Sequence, residues 1–143
     1  MEDDSETSAK RGANYKAHED TLLCQLWVCI SSDPIAGIYQ PVDDFYSKIK
    51  KEFDAELRLN KRVVAERSTQ SLKSRFVTIS SAVSKFVACH ERVVAVCASG
   101  RTPAEQVDDA VRVYQDRFGV FRFRQCWAIL KDSANGVRGS NSL

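Results

Sequence analysis

The residues of this chain with the most evident chemistry lie between positions 67 and 85, where Arg67, Lys73, Arg75 and Lys85 alternate with Thr69, Gln70, Ser71 and Ser74. Basic side chains neutralise phosphates, and Arg, Lys and Gln on one helix reach base edges in a major groove. Residues 61–101 hold eight basic and two acidic side chains, a net +6 in a chain whose total is only +2. That asymmetry points toward nucleic acid; the plainer reading is a solvated basic face.

Enzymatic groupings are scarce. No glycine-rich phosphate loop, Gly-x-Ser-x-Gly turn or helical metal-ligand pair occurs. Asp43 with Asp44 and Asp108 with Asp109 are adjacent carboxylates, and neighbours on a helix point in different directions. No catalytic residue is named, and the chain is expected not to be an enzyme. The cysteines, at 24, 29, 89, 97 and 126, include no Cys-x-x-Cys pair, and the histidines are His18 and His90. An ordinary zinc site cannot be assembled locally from such a set. The expectation is reduced, mostly buried thiols of a cytosolic or nuclear protein, with no metal and no cofactor.

These groups need elements to position them, and helical periodicity supplies the elements. The length of 143 residues suits one domain. Residues 1–13 are acidic, polar and without apolar period, which predicts a disordered arm rather than a secretory leader. No run approaches 18 apolar residues, so no membrane span is expected. Leu22, Leu23, Leu26, Trp27 and Ile30 recur at helical spacing after Glu19 and Asp20, whose charge suits a helix N-terminus. This first helix should end near Ser32, before Asp33-Pro34 and Gly37 break the chain. A second helix, from about Val42 to Glu56, carries Phe45, Ile49 and Phe53 at four-residue steps.

The third helix is the most regular, with Leu72, Phe76, Ile79, Val83, Phe86, His90, Val93 and Cys97 alternating steps of four and three. From about Ser68 to Ala98 it would be on the order of 45 Å long. Such a stripe serves either packing within the chain or a homodimeric coiled coil. Thr102, Pro103 and Glu105 form a capping box with proline at the first helical position, and Gly119 closes the helix they start. A last short helix holds Cys126, Trp127 and Leu130, and residues 133–143 form a polar tail expected to be flexible.

The stretch Arg11 to Trp27 resembles the opening of Myb/SANT-like domains, an aromatic and an acidic pair leading into a helix, and Arg67 to Phe76 resembles their third helix. The nearest subgroup is similar to the trihelix-like proteins encoded beside PIF/Harbinger transposases. Its motifs are matched by Asp33 to Gly37, Ser71 to Arg75, Lys85-Phe86, Ser99-Gly100 and Phe121 to Trp127. Tyr15, Phe45 and Phe76 stand where that family commonly has tryptophan, and residues 54–66 are not matched.

The resemblance implies an all-α fold: a three-helix Myb/SANT-like bundle of helix-turn-helix type at 14–98, with a long third helix, and a C-terminal helical extension at 99–132 packed on it. It also implies Tyr15, Trp27, Phe45 and Phe76 as structural core; Trp127 is expected there too, because large aromatics at helical spacing pack. Gln70, Lys73 and Ser74 would face a DNA groove, with Arg67, Thr69, Arg75 and Lys85 as further contacts. The expected function is sequence-specific binding of double-stranded DNA in the nucleus, as a transcription regulator or a transposon-derived accessory that partners a transposase or other nuclear protein. The alternative is a SANT-type module binding histone tails or another protein.

Overall fold

The computed structural model describes residues 15–32, 41–59, 66–96 and 100–132. All regular structure among them is helical: α1 (Ala17–Ser31), α2 (Val42–Leu59), α3 (Thr69–Val96), α4 (Pro103–Phe118) and α5 (Arg124–Leu130). The all-helical class expected from periodicity is the class observed. The N-terminal arm, the Asp33-Pro34 and Gly37 turn, Lys61, Arg62, Cys97, Ser99 and the C-terminal tail lie outside the described residues.

The chain divides into two compact units, residues 1–76 and 77–143, with the division inside α3. In the first unit, Leu23, Ile49, Phe53 and Leu72 are fully buried. Trp27 stacks on Phe76 at 4.8 Å between ring centroids and meets Phe45 edge-on at 6.3 Å. Both are attractive aromatic geometries. Of the aromatics assigned to the core, Phe76 and Trp127 are buried, whereas Tyr15, Trp27 and Phe45 are half-buried.

The second unit is built on Phe86, which has no exposed surface. Its ring stacks on Phe121 at 4.3 Å and meets Trp127 edge-on at 5.1 Å. Tyr114 packs on both phenylalanines. α4 starts as its residues dictate: the Thr102 hydroxyl accepts from the Glu105 N–H at 3.1 Å, and the Glu105 carboxylate accepts from the Thr102 N–H at 2.9 Å. Its exit requires glycine, because Gly119 sits at φ +100°, ψ −171°, a region that side chains scarcely enter.

Candidate functional site

The proposed DNA-contact residues begin in a buried charge cluster of the first unit. Arg67 Nε and Nη2 donate to Glu19 Oε2 and Oε1 at 2.9 and 3.0 Å, with side-chain exposures of 4% and 0%. Glu19 also accepts from the Lys16 N–H at 2.8 Å, capping the start of α1. Burial alone would raise the Glu19 pKa, but the Arg67 and Lys16 donors outweigh it and hold the carboxyl below its ordinary value. Eight residues on, within α3, Arg75 forms the same fork with Asp20, at 2.8 and 2.9 Å. Tyr15 lies beneath both guanidiniums, 3.9 Å from Arg67 and 5.0 Å from Arg75, and its hydroxyl is 2.7 Å from Ser71 Oγ. Burial pushes the Tyr15 phenol above its ordinary value. Lys50 of α2 donates to the Arg67 carbonyl at 2.9 Å and pairs with Asp54 and Glu66.

Both strongest candidate phosphate ligands are therefore committed to carboxylates of α1. A planar fork against a carboxylate satisfies the guanidinium in the geometry it would use on a phosphate. Glu19 and Asp20, read from the sequence as dipole-favoured residues of a first turn, occupy that turn and are in addition buried partners. Of the remaining candidates, Gln70 is exposed and donates to Ser74, Lys73 and Thr69 are half-buried, and Lys85 of the second unit lies over the Phe118 ring at 5.1 Å. Asp108 and Asp109 also have separate basic partners, Arg124 for the first and Arg101 and Arg112 for the second.

Room for a ligand among the described residues is found in the second unit. A cleft of about 330 Å³ opens there, near the lower end of the range typical of small-molecule sites. Val83, Val87 and His90 reach it because positions four and three apart share one face of α3. Pro103, Gln106 and Val107 come from the first turns of α4. Glu91 of α3 and Trp127 and Lys131, four apart, complete the lining, and Lys131 Nζ stands 4.7 Å over the indole centroid. The His90 ring lies 5.3 Å from that of Trp127. Its pKa is lowered, first by burial and then by the Lys131 charge, against a weaker pull from Glu91. At neutral pH the wall therefore presents a neutral imidazole beside an ammonium.

Sequence reasoning took Trp127 as core and His90 as a weak member of an apolar seam, and left Lys131 unassigned. The signal was present in the cationic Lys131 four residues after Trp127 and in the face shared by residues 83, 87 and 90. Among the described residues no group of three or more His, Cys, Asp or Glu could hold a metal ion, and no helix is long and apolar enough to cross a membrane.

No family model matches the chain, and no solved structure matches it. It is similar to a protein of Arabidopsis thaliana named glutathione S-transferase T3, 24% identical over 125 residues, which are 87% of this chain and 21% of the relative. The chain thus spans about a fifth of the curated protein it matches. This finding corrects the expected function: a relative named for glutathione transfer points away from sequence-specific duplex binding and from its histone-tail alternative. The internal pairing of Arg67 with Glu19 and Arg75 with Asp20 is the physical counterpart of that correction. It occupies Arg67 and Arg75 of the one reading and Glu19 and Asp20 of the other.

Proposed function

We propose that this chain is a non-catalytic helical module that takes a small organic ligand into the cleft of its second unit. The first unit, with a Myb/SANT-like three-helix frame, serves as scaffold. The observation that carries the reading is a cleft with an apolar wall of Val83, Val87 and Val107 and a few polar groups converging beside Trp127. That combination is what small-ligand sites share. The helical spacing that builds the wall leaves no hydroxyl or thiol nucleophile among the lining residues.

Trp127 supplies the assay. With Trp27→Phe it is the sole tryptophan, since the chain has two. A titration of that variant with small organic compounds, glutathione included, should give a saturable fluorescence change for at least one compound at millimolar concentration or below. A flat response to the whole panel refutes the reading. A second reading, glutathione conjugation, is favoured by the name of the curated relative. Lys131 would then stabilise a bound thiolate. Thiol consumption in the presence of an electrophile, lost in Lys131→Gln, would replace the first reading with the second.

A further inference from the structure

We propose that the occupant of the cleft is an amphipathic organic anion: a small compound with an apolar body and one carboxylate, the carboxylate on Lys131. This deepens, and rests on, the binding reading above. Charge complementarity identifies the occupant. Lys131 is exposed and makes no ion pair among the described residues, while every other basic side chain of α4 and its flanks named above is paired or lies on another face. Its ammonium stands over the Trp127 ring at the cleft wall, and its field already reaches His90. The anion would meet a fixed positive charge at one end of an apolar trough. The ring face beneath Lys131 keeps the ammonium at the wall and leaves its far side open to a carboxylate.

The charged and titratable groups facing this position are few. Glu91 also lines the cleft but already has an interaction partner, and His90 is neutral at pH 7. Asp132 follows Lys131 directly and is exposed. The apolar body would lie along Val83, Val87 and Pro103. Burying methylene groups there drives binding, at roughly 25 cal/mol per Å² of apolar surface removed from water. The charge then selects among ligands of equal shape.

The test uses two probes of nearly the same shape, phenylpropanoate and phenylpropanol, titrated into the full chain carrying Trp27→Phe. The carboxylate should bind roughly three- to fivefold tighter than the alcohol, as expected for a partly exposed ion pair, and the preference should shrink as salt is raised. In Lys131→Gln the preference of the carboxylate over the alcohol should vanish. Lys131 is exposed, so this variant keeps its fold, which near-ultraviolet circular dichroism verifies. Equal affinities for the two probes in the parent protein would overturn the anionic assignment and leave the cleft reading standing. Binding of neither would overturn the anionic assignment, and with a flat response to the whole panel the cleft reading as well. A preference that survives Lys131→Gln would place the anion elsewhere and refute the role given to Lys131.

Discussion

Replacing Arg67 with methionine separates a structural arginine from a contact arginine. Arg67 and Glu19 are almost wholly buried, and Glu19 keeps only the Lys16 N–H once the guanidinium is gone. Removing one partner of such a pair costs about 3–5 kcal/mol, because the other charge stays out of water unpaired. Loss of the Tyr15 face contact adds on the order of 0.5–1 kcal/mol. At roughly 4–8 °C per kcal/mol for a unit below 100 residues, the first unit should melt more than about 12 °C earlier. Urea and thermal melts followed by Trp27 fluorescence in a Trp127→Phe background report that unit alone. The double variant Arg67→Met, Glu19→Leu should recover most of the loss, since an apolar replacement of a whole buried pair is often neutral. A loss below about 1 kcal/mol for Arg67→Met, the range of solvent-exposed pairs, would refute the buried pairing and return Arg67 to the surface.

Acid should weaken the first unit through Glu19. Its folded pKa lies below the ordinary 4.5, so its contribution is complete above pH 4.5 and is lost as the pH falls through the folded value. Urea melts between pH 3 and 6 should show a steeper decline for the parent than for the double variant. Phe86→Ala should cost about 3–5 kcal/mol in the second unit, since a fully buried ring that packs on Phe121, Tyr114 and Trp127 leaves a cavity. Gly119→Ala should cost about 1–3 kcal/mol through backbone strain alone, since nothing lies within 4 Å of the added methyl. Thr102→Ala should cost about 1 kcal/mol by removing the cap of α4. Denaturant midpoints check all three.

Helix order and most helix ends were legible because they rest on local rules. The Thr102 to Glu105 capping box and the closing Gly119 are short-range, and both ends of α4 match them. α3 was legible from its unbroken steps of three and four. What the chain hid is of longer range. Glu19 and Arg67 are 48 positions apart, and no periodicity links them. A count of charges therefore treated Arg67 and Arg75 as available groups, whereas their geometry fixes them to α1. The division at Phe76 was hidden for a similar reason: the apolar stripe of α3 runs without interruption through the point where the packing partners change. The cleft was illegible because it depends on where α4 and α5 bring Pro103, Trp127 and Lys131 against the α3 face. Each of these residues by itself reads as a cap, a core ring and a solvated lysine.

The most direct test of the cleft is an amide and indole N–H correlation spectrum recorded during titration with phenylpropanoate. The two indole signals belong to Trp27 in the first unit and Trp127 in the second. Saturable movement of the Trp127 indole, together with the amides of Val87, His90 and Lys131, and a stationary Trp27 indole, is the predicted outcome. A stationary Trp127 signal at saturating ligand, or movement confined to α1 and α2, would contradict it.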